Sequence, residues 1–100
     1  MFNVNKMNKD TPILRVGTGW IEIAAIGEPT VVQTFKGYAP VLPVRVISTS
    51  LDYFLYIQAK SIAEKLEPLR QANAGVFIGL KLSIRKSSDE QFAPYDLKSL

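Results

Sequence analysis

The residues of this chain that can do chemistry are its arginines, lysines and aromatic rings. There is no histidine and no cysteine. That removes the commonest general base, the commonest imidazole metal ligand and every Ser–His or Cys–His pair, together with disulfides and thiolate metal sites. The carboxylates are scattered, without the spacing of a metal site or an acid–base couple. Ser61 beside Lys60 or Lys65 has the composition of a serine–lysine pair, but a helix-capping role accounts for Ser61 without further assumptions. The chemistry expected is therefore binding, with no catalysis and no cofactor. Its candidates fall into two rows. Within Val41–Ile57 (VLPVRVISTSLDYFLYI), Arg45, Phe54 and Tyr56 lie off the apolar face, an arginine beside two rings. Within Val76–Lys86 (VFIGLKLSIRK), Phe77, Lys81 and Arg85 form a second aromatic and basic row. Twelve Lys+Arg against nine Asp+Glu give a charge of +3, a tilt compatible with nucleic acid or an acidic surface.

Strands have to position both rows, because successive residues of a strand point to opposite faces. Alternation puts Leu42, Val44 and Val46, then Leu51, Tyr53, Leu55 and Ile57, on one core-building face, with a turn at Ser48-Thr49-Ser50 between them. In Val76–Lys86 the core face is Val76, Ile78, Leu80, Leu82 and Ile84. Earlier, Trp20–Ile26 sets Ile21, Ile23 and Ala25 against Trp20, Glu22 and Ala24. Gly27-Glu28-Pro29 bends that strand, Thr30–Phe35 continues it, and Lys36–Pro40 has turn chemistry. Gly17-Thr18-Gly19 lacks the third glycine of a dinucleotide fingerprint and leads into a strand, so a bulge or bend is expected there. Phe92–Leu97 reads as a last short strand after the polar loop Ser87–Gln91.

One helix interrupts the strands. Ser61-Ile62-Ala63-Glu64 matches a capping box, and Ile62, Leu66 and Leu69 recur at helical spacing. Pro68 is expected to kink it or to start a second short helix, and Gly75 to supply the left-handed stop. One hundred residues with 47% hydrophobic content suit a single domain over residues 13–100, preceded by a polar, flexible arm over residues 1–12. No apolar run approaches the roughly 18 residues of a membrane helix, and MFNVNKMNKD has no apolar signal core. An intracellular, cytoplasmic protein is expected, with no membrane partner.

Counting the bent Trp20–Phe35 segment as one strand, the order is β-β-β-α-β-β. That order, with IGEP before an extended run, a TFKGYAP hairpin, a helix after the third strand and IRK–loop–YDL at the end, resembles the OB-fold single-stranded nucleic-acid-binding proteins, particularly the small archaeal or viral ones. The resemblance covers Trp20–Leu97. It implies a mainly β, five-stranded Greek-key barrel with one helix between strands 3 and 4. Another small β-barrel, or an α+β sheet with the helix on one face, has the same element order. The expected core is Val44, Val46, Leu55, Ile57, Ile78, Leu80 and Leu82, plugged by Leu66 or Leu69.

OB-folds hold single strands on the outer face of the second and third strands, between the first–second and fourth–fifth loops. Carried onto this chain, the resemblance implies Arg45, Phe54 and Tyr56 on the strands, Phe35, Lys36 and Tyr38 in the first loop, and the loop from Lys86 to Gln91; Phe77, Lys81 and Arg85 add the second row. Cations would pair with phosphates and rings would stack on bases, at roughly 1–3 kcal/mol per base. The implied partner is single-stranded nucleic acid, DNA ahead of RNA, bound with little sequence preference. Against this stand plainer readings. An outward ring at Phe54 can be covered by the N-terminal arm or a dimer partner, Lys81 and Arg85 can be a solvated face, Trp20 can pack at a rim, and Asp89-Glu90 would repel phosphate. A protein–protein or self-association module of the same fold carries the same ring-rich surface.

Overall fold

The computed structural model describes residues 11–34 and 37–100. The elements are β1 (Ile21–Ala25), β2 (Thr30–Thr34), β3 (Gly37–Val46), β4 (Leu51–Tyr56), α1 (Lys60–Ala72), β5 (Lys81–Lys86) and β6 (Tyr95–Ser99). All six strands join one antiparallel sheet. The ten-residue β3 organises it. Val41 pairs with Thr30 of β2 and Tyr56 of β4, while Val44 pairs with Ala25 of β1 and Tyr53 of β4. One edge of β3 therefore carries β2 and then β1, and the other edge carries β4. Beyond β1 lie β5 and then β6.

Among the described residues the mainly β architecture with one helix is as the sequence predicts, but the strand count is six. Gly27-Glu28-Pro29 separates β1 from β2 instead of bending one strand, so the helix lies between the fourth and fifth strands. Gly37–Pro40 is not a turn; it is the first part of β3, with Gly37 opposite Thr34. Among the described residues β4 and β6 do not pair, so the sheet is not closed into a barrel.

The inner face follows the alternation. Ile23, Leu42, Val44, Val46, Leu55, Leu82 and Ile84 are buried beneath Ile62 and Leu66 of α1. Of the expected core, Ile57 and the helix residue Leu69 are only partly buried against this cluster. Ile78 is wrongly placed by alternation, and it is exposed. The reason is local. Gly79 takes φ 87°, a left-handed conformation, and the Glu28 carboxylate accepts hydrogen bonds from the Phe77 N–H (3.0 Å) and the Ile78 N–H (2.7 Å). Those donors are lost to any strand ladder. Val76–Leu80 is consequently a loop, and β5 begins at Lys81.

Alternation also fails at Phe54. The Phe54 N–H donates to the Pro12 carbonyl and the Leu14 N–H to the Phe54 carbonyl, so Ile13 forms a parallel bridge on the free edge of β4. Phe54 then joins Val32 and Val41 in a second buried cluster, with Ile13 packed over it. Pro12, at the end of the expected arm, is thus tied to the sheet.

Helix α1 starts two residues earlier than the capping box requires. Its N-cap is Ala59, without a side-chain cap bond. Ser61, inside the first turn, accepts instead from the Tyr95 N–H of β6 (3.1 Å), and Lys65 donates to the Tyr95 carbonyl. The helix continues through Pro68 as one element. Gly75 adopts φ 79° as expected and donates its N–H to the Arg70 carbonyl, the left-handed exit of a helix.

Candidate nucleic-acid interface

Arg45 lies directly opposite Asp52 in the β3–β4 ladder. Its Nε donates to Asp52 Oδ1 (2.7 Å) and its Nη2 to Oδ2 (3.3 Å). This hydrogen bonding, chiefly, holds the Asp52 carboxyl below and the Arg45 guanidinium above their ordinary values. The expected phosphate ligand is therefore paired within the protein. Tyr56 is exposed on the same pleat face of the ladder, opposite Val41, but the Pro43–Phe54 pair lies between them. Phe54 is only 2% accessible under Ile13. The expected stacking role of Phe54 does not fit this placement, and the continuous Arg45–Phe54–Tyr56 face is broken in the middle.

Tyr38 is 74% exposed, near the start of β3. By strand parity it belongs to the opposite pleat face from Arg45. Phe35 and Lys36 lie outside the described residues. Phe77 sits in the loop before β5, half-buried and packed against the main core, so it leaves the row it was expected to share with Lys81 and Arg85. Lys86 ends β5 with its N–H donated to the Gly17 carbonyl (2.7 Å). Its parity sets it on the other face from Arg85.

What the structure does assemble is a face on β1, β5 and β6. Glu22 is opposite Ser83 and Ala24 opposite Lys81; Ser83 is opposite Lys98 and Arg85 opposite Asp96. Trp20, just before β1, extends the same row. The Arg85 guanidinium lies 4.5 Å from the centre of the Trp20 ring and the Lys98 ammonium 4.4 Å from it. Asp96 sits between Arg85 (3.2 Å) and Lys65 (3.7 Å). Ser83 is buried despite facing outward, so the long side chains around it cover the small one. Lys81 is exposed at the end of this row.

Lys98 was not among the residues the sequence singled out, and Trp20 was read as a rim residue. The signal for Lys98 was its place two residues after Asp96 on an alternating strand. It became readable only with the β5–β6 register. Phe92 is 90% exposed in the connection before β6 rather than in a strand. Among the described residues no group of three or more His, Cys, Asp or Glu side chains could hold a metal ion. No described helix is long and apolar enough to cross a membrane. Comparison with protein-family models, with curated proteins and with solved structures gives no match.

Proposed function

We propose that this protein is an OB-like module that binds single-stranded nucleic acid, DNA ahead of RNA, without catalysing a reaction. Two supports are independent of each other. With β1 and β2 counted as one strand interrupted at Gly27–Pro29, the ladder order becomes third, second, first, fourth, fifth. That is the order of a five-stranded Greek-key barrel opened between its third and fifth strands. The observation that carries the function is the outward Trp20 ring with two cations, Arg85 and Lys98, within 4.5 Å. Aromatic rings among cations are what a single strand needs, because bases stack on the rings and phosphates pair with the cations. The proposed contact therefore moves from Arg45 and Phe54 to Trp20, Lys81, Arg85 and Lys98, with Tyr56 as an outlying ring.

A titration with a labelled thymidine oligonucleotide at several salt concentrations tests this. Arg85→Ala or Lys98→Ala should each flatten the slope of log affinity against log salt by about 0.7. Trp20→Leu should weaken binding by roughly 1–3 kcal/mol with the slope nearly unchanged. Absence of binding at low salt would sink the reading. The alternative is a protein–protein module, favoured by the nearly bare Phe92 ring; binding through such an apolar contact would respond little to salt.

A further inference from the structure

We propose that this protein forms a symmetric dimer in which β2 pairs antiparallel with β2 of a second copy, the two-fold axis lying between the two Val32 residues. The proposal stands independently of the nucleic-acid reading. It follows from which way the backbone of β2 points. The Pro40 carbonyl accepts from the Ile57 N–H (3.2 Å), so Pro40 turns toward β4 and away from β2. Its ladder partner Val31 is therefore in a pair that exchanges no hydrogen bonds. Such pairs alternate with hydrogen-bonded ones, so Gln33, opposite Tyr38, is in another. The N–H and C=O groups of Val31 and Gln33 consequently point outward from the sheet. Among the described residues nothing donates to them or accepts from them.

Three observations select a second copy as what pairs there. First, the other edges are engaged by the chain itself. Residues 12–14 bridge β4 at Phe54, and Ser61 and Lys65 of α1 hold both backbone groups of Tyr95 on β6. Second, the open groups of β2 complement themselves. With the axis at Val32, Val31 lies opposite Gln33 of the partner subunit, and Gln33 lies opposite Val31 of the partner subunit. Each pair then exchanges both of its hydrogen bonds, the reciprocity that a two-fold contact requires. Third, the strand reads TVVQT, without a charge. Edges that stay single are usually blunted by lysine, proline or a bulge, whereas an uncharged strand meets its own copy with no like charges opposed. Val31, 53% exposed, shares a pleat face with the exposed Tyr38. Pairing would set the two Val31 side chains as diagonal neighbours across the axis. A foreign extended segment would draw its specificity from side-chain pockets beside the edge. The cavities at the β3–β4 turn and at the two ends of α1 lie away from β2.

Sedimentation equilibrium over a range of concentrations, without nucleic acid, tests this. A monomer–dimer equilibrium is expected. As dimer forms, the Val31 and Gln33 amides should gain hydrogen-exchange protection, more than those of Thr30 and Val32, which already face β3. Val31→Lys should raise the dissociation constant at least about tenfold, because it sets two ammonium groups beside each other across the axis. Since Val31 is exposed, the dilute variant should keep its thermal transition. Gln33→Pro should weaken the dimer similarly, because it deletes an N–H that bonds only between copies. Phe92→Ser, at the other bare apolar surface, should leave the dimer intact. A chain that stays monomeric up to roughly 1 mM, or a dimer that survives both β2 variants, would overturn the proposal. Dissociation by Phe92→Ser alone would overturn it too, moving the contact to the groove beside the start of α1.

Discussion

Asp52 holds two of the Arg45 guanidinium hydrogens, and this fixes how each residue responds to change. The Asp52 carboxyl is lowered below its ordinary value, mainly by that hydrogen bond. A depressed folded-state carboxyl stabilises the fold above the unfolded value, about pH 3.9, and the contribution disappears as pH falls through the lower folded value. Arg45→Ala should therefore move the Asp52 carboxyl upward toward the ordinary range in a carbon-detected NMR titration; an unchanged midpoint would show that the pair does not form in solution. Both groups are well exposed, so little stability goes with it. Phe54 is the opposite case. It fills the second cluster with Val32 and Val41, and Phe54→Ala should cost about 3–5 kcal/mol in chemical denaturation. Tyr56→Ala, on the exposed side of the same strand, should cost far less. Residue type alone does not separate these two rings. What separates them is that Ile13 lies over one and not over the other.

Between elements, the contact of α1 with β6 is the one that sequence misassigned. Ser61 accepts from the Tyr95 N–H and Lys65 donates to the Tyr95 carbonyl, so two helix side chains satisfy both backbone groups of one strand residue. Ser61→Ala leaves a half-buried N–H without its partner, a loss of about 1 kcal/mol. The informative readout is position: hydrogen exchange at Tyr95 should speed up while the first turn of α1 keeps its protection. The reverse pattern would restore the capping role. Helix and strands were largely legible, because the Ile62–Leu66–Leu69 stripe and the alternation of Ile21–Ala25, Leu42–Val46 and Leu82–Ile84 each report a burial the structure confirms or nearly confirms. Val76–Leu80 was not legible. Its alternation is as regular, but Glu28, some fifty positions earlier in sequence, takes its amide donors. A local pattern carries no information about a competitor that remote.

At the scale of the whole molecule, the long β3 divides the fold into two unequal cores. Its inner face and those of β1, β4 and β5 enclose the large cluster under α1, whereas its first half, with β2, Phe54 and Ile13, encloses the small one. The same division explains why the candidate site was only half legible. Lys81 and Arg85 could be seen to share a strand face, but their meeting with Trp20 and Lys98 depends on the registers of β1–β5 and β5–β6, which no single segment encodes. The division also has an energetic consequence. Among the described residues strand β2 pairs only with β3, and its buried side chain Val32 rests on the small cluster. Opening β2 would expose little apolar surface, while opening β1 or β5 would dismantle the large cluster. Segments with few buried apolar contacts open below the global unfolding free energy. Native-state hydrogen exchange in rising denaturant should therefore show the β2 amides exchanging through a smaller opening than those of Ile23, Leu82 and Ile84. Val32→Ala should lower that smaller opening selectively, by about 1–2 kcal/mol on the scale of lost buried methyl groups. A single merged exchange isotherm for β1, β2 and β5 would show instead that the two clusters unfold as one cooperative unit.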